Sequence, residues 1–475
     1  MNMRKTKIIC TLGPAVDHAE TIERLIRTGM NAARFNFSHG SHAEQLARLN
    51  MFKKVRDTLG APVATILDTK GPEIRIKTFA DGPVTLEQGQ GFILTTDDVP
   101  GDGRRVSVTY ANLHKEVGPG CRILVDDGLI ELRVQKVEGH EIHCEVENGG
   151  PLSSNKSINI PDVHILLPSL TDKDREDLKF AVDNDFDFIA ASFVRKASDV
   201  EDIRAELRKH GGDNIRIIAK IENREGVENL EGIIAASDGI MVARGDLGVE
   251  IPAHEVPILQ KKMIKATIRA GLPVITATQM LDSMIRNPRP TRAEVANAVF
   301  DGTSCVMLSG ETASGKYPIE ALSTMVNTVT AAEEAIDYWG RFRERSLLPV
   351  VSGISDAITH SCCLTAMDLN ASAILAATRS GYTAKVISRF RPACPIVALC
   401  QNESTRRQLA ISWGVHPYLS GEVDSTDRMF SLAVDVARKE NAVQIGDTVV
   451  ITAGVPLGQS GTTNLIKAQI VEGGL

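Results

Sequence analysis

Two apolar runs near the middle of the chain end in charged residues that could bind a metal ion or an anion. Lys220 and Glu222 end the first run, and Arg244 and Asp246 end the second. Because side chains alternate along a strand, each pair shares one face with the apolar residues before it. A face that becomes charged only at its C-terminal tip is typical of a barrel strand whose last inward residues form a site. The alternative is that all four are solvated charges at strand ends.

The two acids, Glu222 and Asp246, offer only oxygen ligands and have no His or Cys beside them. Such a pair suits Mg²⁺ or Mn²⁺ better than zinc. The same carboxylates could instead form ion pairs with Lys220 and Arg244, and these residues alone leave both interpretations open.

Polar residues also end two earlier apolar runs. Asn36, Ser38, Asp68 and the carbonyl of Thr69 would form an oxygen cage that carries one full negative charge. A cage of that charge suits a monovalent cation. A hydrogen-bonded network at the strand ends would have the same composition.

Two cations and two glycine-containing turns could bind phosphate or carboxylate groups. Arg34 and Lys220 would face a phosphoryl group, which suits a planar guanidinium and a compact ammonium. The N–H groups of residues 245–248 (GDLG) could hold a carboxylate, although many such turns bind nothing. Residues 378–383 (TRSGYT) could hold a phosphate or form an ordinary capped helix start.

The elements that would position these residues repeat regularly. Eight apolar runs alternate with helix-period segments, which predicts an α/β fold built on a parallel (β/α)₈ TIM barrel. The predicted strands span residues 6–13, 32–38, 63–69, 186–193, 215–222, 239–246, 273–280 and 305–311.

One further unit is inserted into the barrel sequence, and another follows it. Residues 70–167 are Gly-rich and alternate in hydropathy, which predicts an inserted antiparallel module, a small β-barrel that would cover the active face as a lid. Residues 346–475 predict a C-terminal α/β domain. The catalytic barrel would then comprise residues 1–69 and 168–345.

Composition limits the class of protein. The 475 residues are enough for two or three domains, and a net charge of −7 with scattered Lys and Arg argues against nucleic-acid binding.

The eight cysteines show no C-x-x-C pair, so we expect reduced thiols rather than zinc or disulfides. No apolar run approaches the roughly 20 residues that span a bilayer, and the first residues lack the apolar core of a signal peptide. We expect a cytoplasmic protein.

Long motifs in these same segments resemble the pyruvate kinase family. The resemblance runs nearly end to end and keeps the family's order. Among the similar segments are TKIICTLGPA, ARFNFSHG, ILDTKGPEIR, SFVRKASDV, AKIENREGV, MVARGDLGVEIP and MLSGETASGKYP.

The resemblance implies a glycolytic enzyme that transfers the phosphoryl group of phosphoenolpyruvate to ADP, giving pyruvate and ATP, with Mg²⁺ (or Mn²⁺) and K⁺ as cofactors. It implies specific roles for residues at the strand ends, with Glu73 as the acid that accompanies K⁺ dependence. These roles are catalysis by Lys220, Arg34 and Thr278, substrate binding also by Gly245 and Asp246, Mg²⁺ binding by Glu222 and Asp246, K⁺ binding by Asn36, Ser38, Asp68 and Thr69, and nucleotide binding by Pro14, Asn36, His39, Arg75 and Lys156.

The resemblance also implies an allosteric homotetramer whose C-terminal domain binds a sugar phosphate or a nucleotide. The sequence departs from the family where Glu294 runs directly into Val295, which bears on a subunit contact and on the placement of Arg292. The implied effector residues are Thr378, Arg379, Ser380, Gly381, Thr383, Ser460, Gly461 and Thr462.

Two other functions remain to be separated from this one. A barrel lyase could act through a metal-bound pyruvate enolate, and it would release pyruvate without ADP. A catalytically inactive effector-binding protein would keep its properties when Lys220 is replaced.

Overall fold

A computed structural model of the chain describes residues 3–291, 294–346, 353–423, 425–456 and 461–473. The fold begins with two strand–helix units and a third strand. Their strands are buried apolar runs, and the second helix begins at a capping box between Ser41 and Glu44. These elements are β1 (Lys7–Leu12), a 3₁₀ helix (Pro14–Val16), α1 (Ala19–Thr28), β2 (Ala32–Asn36), α2 (His42–Leu59) and β3 (Ala64–Asp68).

A mostly antiparallel module follows β3. Its hairpins turn at Gly128 and Gly139, whose φ angles of 83° and 58° favour glycine. Its elements are β4 (Ile74–Arg75), β5 (Val84–Leu86), β6 (Gly91–Thr95), β7 (Arg105–Ser107), α3 (Leu113–Glu116), β8 (Arg122–Val125), β9 (Ile130–Glu138), β10 (Glu141–Asn148), β11 (Gly150–Leu152) and β12 (Ser157–Asn159). Seven strands form one sheet in the order β4-β12-β8-β9-β10-β6-β7, and β5 pairs with β11.

The chain then returns to alternating strands and helices. These elements are α4 (Asp172–Asp183), β13 (Phe188–Ala191), α5 (Ala197–Lys209), β14 (Arg216–Ile221), α6 (Arg224–Glu228), α7 (Leu230–Ala236), β15 (Gly239–Ala243), α8 (Arg244–Glu250), α9 (Val256–Arg269), β16 (Val274–Ala277), a 3₁₀ helix (Asp282–Ile285), α10 (Val295–Asp301), β17 (Cys305–Leu308), α11 (Gly310–Ala313), α12 (Pro318–Glu334) and α13 (Tyr338–Ser346).

Eight parallel strands close into a barrel in the order β1-β17-β16-β15-β14-β13-β3-β2. The predicted barrel is therefore confirmed, and each of its strands lies within one of the eight apolar runs. Ile66, Ile218, Met241 and Ile275 are fully buried in its interior. Because the strands are parallel, all of their C-terminal ends meet at one rim, and the polar residues that end the runs meet there as well.

The C-terminal α/β domain is also confirmed. Its sheet has the order β20-β19-β18-β21-β22, with only β22 antiparallel to its neighbour. Its elements are α14 (Ile354–Asp368), β18 (Ala373–Thr378), α15 (Tyr382–Arg389), β19 (Ile396–Cys400), α16 (Glu403–Leu409), β20 (Val415–Leu419), α17 (Thr426–Lys439), β21 (Thr448–Gly454) and β22 (Thr463–Ile470).

This domain packs against the N-terminal end of the barrel. Ile411 is fully buried among the residues that fill the barrel interior. Lys7 Nζ donates a hydrogen bond to the Val415 carbonyl at 2.6 Å, and Arg407 Nε donates to buried Asp187 at 2.8 Å. Asp187 also accepts from the Thr65 amide at 2.8 Å. The two domains therefore share buried polar contacts as well as apolar ones.

We expect an Arg407→Met variant to be less stable than the wild-type protein by about 3 kcal/mol, because it leaves the Asp187 carboxylate buried without its cation. Urea denaturation followed by fluorescence measures the difference, with Arg24→Met, at an exposed position of α1, as the control. A second change, Asp187→Leu, should recover part of the loss, since it removes the uncompensated charge. An unchanged midpoint for Arg407→Met would contradict this account of the domain contact.

Candidate active site

A cavity of about 670 Å³ lies between the C-terminal rim of the barrel and the inserted module. It is lined from both sides, which is the geometry expected where a module covers a barrel mouth. Many of the candidate site residues line it: Arg34, Asn36, Ser38, His39, Asp68, Glu73, Arg75, Lys156, Lys220, Glu222 and Asp246.

Asp68, at the end of β3, lies at the centre of the charged network. Its side chain is 1% exposed, and its two oxygens accept from Arg34 Nε at 2.6 Å and Lys220 Nζ at 3.1 Å. Burial alone would raise the pKa of this carboxyl, but the two cations outweigh burial and hold the pKa below its ordinary value. Asp68 is therefore a carboxylate that fixes both cations.

Lys220, the penultimate residue of β14, is held by three partners. Its Nζ lies 2.7 Å from Ser192 Oγ, 3.1 Å from Asp68 and 2.9 Å from Glu222 Oε1. Burial would lower the pKa of the ammonium, but Asp68 and Glu222 raise it above its ordinary value. The side chain is therefore a fixed positive charge at neutral pH.

Glu222 directly follows β14, and its two oxygens have different partners. Oε1 faces Lys220, and Oε2 accepts a hydrogen bond from the Phe193 amide at 2.6 Å. Burial raises the pKa of this carboxyl, Lys220 opposes the rise, and the charge of Asp246 adds to it. The mutual repulsion of two carboxylates beside one cavity is what a bound cation would relieve.

The residues fit a magnesium ion that takes only part of its ligands from the protein. Mg²⁺ is usually held by one or two carboxylates, with water and substrate oxygens completing the octahedron. Glu222 and Asp246 supply two carboxylates at the same cavity. Among the described residues, no group of three or more His, Cys, Asp or Glu side chains is arranged to hold a metal, so a cage made only of these side chains is not available there.

The prediction that Arg244 and Asp246 share a strand face is wrong. β15 ends at Ala243, where its pairing with β16 also ends, and Arg244–Glu250 forms the short helix α8. The chain turns there and buries Leu247 completely. Arg244 consequently points to the next loop and donates to the Thr278 carbonyl at 2.5 Å, whereas Asp246 lines the cavity.

Of the two ion pairs that were the alternative to metal binding, one is present. Lys220 pairs with Glu222, whereas Arg244 contacts the carbonyl oxygens of Thr278 and Gln279. Asp246 is therefore not paired with Arg244 in the manner of a simple strand-end ion pair. Thr276, on the neighbouring strand β16, is fully buried and donates to Thr303 Oγ1 at 2.9 Å.

Thr278 and Gly245 lie beside Asp246 but do not line the cavity themselves. Thr278 Oγ1 accepts from the Gly245 amide at 2.8 Å and donates to the Ala277 carbonyl at 2.7 Å. Thr278 has φ of 64°, an unfavourable region for a β-branched residue. Backbone strain of this kind is concentrated at functional sites.

The four residues of the predicted monovalent-cation cage are close together, but only three of them line the cavity. Asn36, Ser38 and Asp68 line the cavity, and Asn36 Oδ1 accepts from the Ser38 amide at 3.1 Å. The Thr69 carbonyl, which is outside the lining, accepts from Ser192 Oγ at 2.7 Å. A carbonyl oxygen has two lone pairs, so that bond leaves one for a cation.

The predicted nucleotide-binding residues divide between the barrel and the module. Arg75 forms a two-pronged ion pair with Glu73 at 2.6 and 2.9 Å, and Lys156 pairs with Asp126 at 2.9 Å. His39 is exposed at the cavity edge. Pro14 is exposed at the start of a 3₁₀ helix and lies outside the lining of this cavity.

Two neighbouring residues were missed as candidates from the sequence. Ser192 bonds both Lys220 and the Thr69 carbonyl, and Phe193 presents its amide to Glu222. The available signal was position, since Ser192 follows the apolar run of β13 as Thr69 follows that of β3.

A second cavity, of about 300 Å³, lies in the C-terminal domain. Gly381 has φ of 82° at the start of α15 and is not part of the lining, and Ser460 falls outside the described residues. The predicted effector residues that do line the cavity are Thr378, Arg379, Ser380, Thr383, Gly461 and Thr462.

In the described part of the chain, no helix has both the length and the apolar character required to cross a membrane.

Comparison with known proteins gives matches along nearly the whole chain. A family profile described as "Pyruvate kinase, barrel domain" matches residues 3–322, and one described as "Pyruvate kinase, alpha/beta domain" matches residues 356–469. The chain is 50% identical over 474 residues to a pyruvate kinase of Clostridium acetobutylicum, covering 99% of this chain and 100% of that protein. It is also 50% identical over 474 residues to a pyruvate kinase of Staphylococcus haemolyticus, covering 99% of this chain and 81% of that protein.

Proposed function

This chain belongs to the pyruvate kinase family, and from that membership we propose that it transfers the phosphoryl group of phosphoenolpyruvate to ADP in a reaction that depends on Mg²⁺ and K⁺. The observation that carries the proposal is the buried Lys220 ammonium, which lies 2.9 Å from Glu222 and 3.1 Å from Asp68 at the barrel mouth. Phosphoryl transfer needs positioning and charge neutralisation more than covalent assistance, and a fixed ammonium supplies both.

Lys220 and Arg34 would bind the transferring phosphoryl group from one side. Arg34 uses Nε for Asp68 and Nη1 for Thr11 Oγ1, at 2.6 and 3.0 Å. A guanidinium has five N–H donors, so these bonds leave others for phosphate oxygens. Both cations are held by Asp68, which lowers the cost of ordering them when the substrate binds.

Glu222 and Asp246 would hold the divalent cation, and Asn36, Ser38, Asp68 and the Thr69 carbonyl would hold K⁺. When bound, Mg²⁺ supplies a Lewis acid that stabilises negative charge on an enolate oxygen. Glu222 directly follows β14, and Asp246 lies in the first turn of α8. Lys220, Arg34 and the bound cations would thus place positive charge beside the phosphoryl and enolate oxygens.

Thr278 would act at the enolate carbon. Its hydroxyl accepts from the Gly245 amide at 2.8 Å, and this bond would be exchanged when the Gly245 amide binds the substrate carboxylate together with that of Asp246. We propose that Thr278 Oγ1 passes its proton to a water molecule that protonates the carbon, and regains a proton from solvent, which would complete the formation of pyruvate.

The inserted module, residues 70–167, would close over the site as a lid. Its Arg75 and Lys156 line the cavity opposite the barrel residues, and with Pro14, Asn36 and His39 they would bind the nucleotide. Closure would exclude the water that otherwise hydrolyses the phosphoryl donor.

The C-terminal cavity would bind an allosteric sugar phosphate or nucleotide. Its hydroxyl residues follow a strand and begin a helix, an arrangement suited to phosphate oxygens. We propose a homotetrameric glycolytic enzyme of the cytoplasm, in which this C-terminal domain regulates the barrel.

An omission assay tests the proposed reaction. Phosphoenolpyruvate, ADP, Mg²⁺ and K⁺ together should yield pyruvate and ATP in equal amounts, and leaving out either ADP or Mg²⁺ should abolish both products. Replacing K⁺ with a large organic cation should lower the rate. Pyruvate formed without ADP would favour the lyase instead, and failure to form either product would contradict the proposal.

A further inference from the structure

Ser192 bridges the two cation-binding parts of the candidate active site. It directly follows β13, is 8% exposed and lines the main cavity. Lys220 Nζ donates to Ser192 Oγ at 2.7 Å, and Ser192 Oγ in turn lies 2.7 Å from the Thr69 carbonyl oxygen. No sequence motif had assigned this side chain a role.

The direction of these bonds follows from their partners. A serine hydroxyl has one proton to donate, whereas an ammonium can only donate. The Thr69 carbonyl at 2.7 Å is a closer acceptor for that proton than Asp68 Oδ1 at 3.4 Å. The chain of donation therefore runs from Lys220 through Ser192 to the Thr69 carbonyl.

Packing keeps Ser192 in this place. A Cβ added at Gly71, where φ is 71°, would lie 2.8 Å from the Ser192 Cβ, so the two backbones approach as closely as a glycine allows. The Ser192 amide also lies 3.3 Å from Thr69 Oγ1, to which it donates. Ser192 is therefore attached to the segment after β3 by both its backbone and its side chain.

The next residue fixes the neighbouring acid. Phe193 has φ of 56°, an uncommon conformation for a bulky residue, and its amide donates to Glu222 Oε2 at 2.6 Å. A single turn thus holds Lys220 through a side chain and Glu222 through the backbone. Such strain persists only where the surrounding structure enforces it.

We propose that Ser192 is a positioning residue, which ties the Lys220 ammonium to the Thr69 carbonyl so that the phosphoryl-binding lysine and the K⁺ site act as one unit. Without the hydroxyl, the ammonium keeps only Asp68 and Glu222 as partners and is drawn towards these carboxylates. The Thr69 carbonyl loses the donor that orients it. The inference rests on the proposed function, because it assigns K⁺ to Thr69 and the phosphoryl group to Lys220.

Steady-state kinetics of Ser192→Ala and Ser192→Cys test the role. We expect kcat to fall about 10- to 100-fold in both, the range for loss of a hydrogen bond to a charged group, and the half-saturating K⁺ concentration to rise. The KM for ADP should stay near its wild-type value. The thiol is somewhat larger than the hydroxyl and is a weak donor, so a serine needed only to fill space would leave Ser192→Cys more active than Ser192→Ala.

Ser157→Ala is the matched control, because Ser157 lines the same cavity but its hydroxyl donates to Asp127, 2.9 Å away, rather than contacting Lys220. Its half-saturating K⁺ concentration should not change. An unchanged K⁺ dependence in folded Ser192→Ala would overturn the proposal.

Crystal structures give a readout that does not depend on activity. Crystals of wild-type and Ser192→Ala protein soaked in Tl⁺, an anomalous scatterer that replaces K⁺, should differ in two ways. Lys220 Nζ should move by about 1 Å, a displacement large enough to impair catalysis, and the Tl⁺ peak at Thr69 should weaken. An unmoved Lys220 with an undiminished peak would contradict the inference. If the wild-type protein failed to make ATP, the proposed function would fail, and the Lys220 position would still decide what Ser192 does.

Discussion

A Lys220→Met variant is expected to lose at least about 10³-fold of kcat for ATP formation, because one fixed cation at a transferring phosphoryl group contributes on that order or more. Methionine keeps most of the volume of the lysine stem and removes only its charge and its donors. The change also leaves Asp68 and Glu222 facing each other without the ammonium that lies 3.1 and 2.9 Å from them. Coupled detection of pyruvate at saturating substrate concentrations measures the loss.

The control for this variant is Lys262→Met. Lys262 is exposed on α9 and does not line the cavity, so its loss should leave kcat unchanged. Circular dichroism and the thermal midpoint should establish that Lys220→Met is folded. A folded Lys220→Met enzyme with wild-type turnover would contradict the role of Lys220 in phosphoryl transfer.

Glu222→Gln is expected to weaken activation by Mg²⁺ at least about 100-fold, since replacing even an outer partner of a metal ligand costs 10- to 100-fold in metal affinity or activity. The amide oxygen of glutamine can still accept from the Phe193 amide, which Glu222 Oε2 now does at 2.6 Å. The variant therefore removes a charge while keeping the hydrogen bond. Initial rates measured across a range of Mg²⁺ concentrations report both the shift and the remaining kcat.

Glu228→Gln is the matched control, because Glu228 lines the same cavity but is exposed and is not a proposed ligand. Its Mg²⁺ dependence should match the wild type, and Asp246→Asn should behave like Glu222→Gln. An unchanged Mg²⁺ requirement in Glu222→Gln would place the metal elsewhere.

The barrel and the residues at its strand ends could be predicted because one local property encodes them. A strand buried on both faces is a continuous apolar run, and its end is where polar residues begin. Lys220 and Glu222 were found in this way, as were Asn36 and Asp68. The same rule predicted too long a strand before Asp246, since the chain turns into α8 after Ala243.

Other features depend on contacts between distant segments. Ser192 looks like any serine after a strand until β3 and β14 bring Thr69 and Lys220 to it. The left-handed conformation of Phe193 likewise accompanies its bond to the distant Glu222, and no local glycine indicates it. β20 in the C-terminal domain has no continuous apolar run that would predict it, because His416 and Pro417 interrupt its sequence.

Anomalous diffraction from crystals soaked with Mn²⁺ is the most direct test of the central claim, that two carboxylates beside Lys220 hold the divalent cation of the reaction. The expected result is a peak about 2.0 to 2.3 Å from a carboxylate oxygen of both Glu222 and Asp246, as oxygen ligands of a small divalent ion require. The peak should disappear in Glu222→Gln crystals. A Mn²⁺ peak elsewhere in the cavity, with neither carboxylate in contact, would contradict the account.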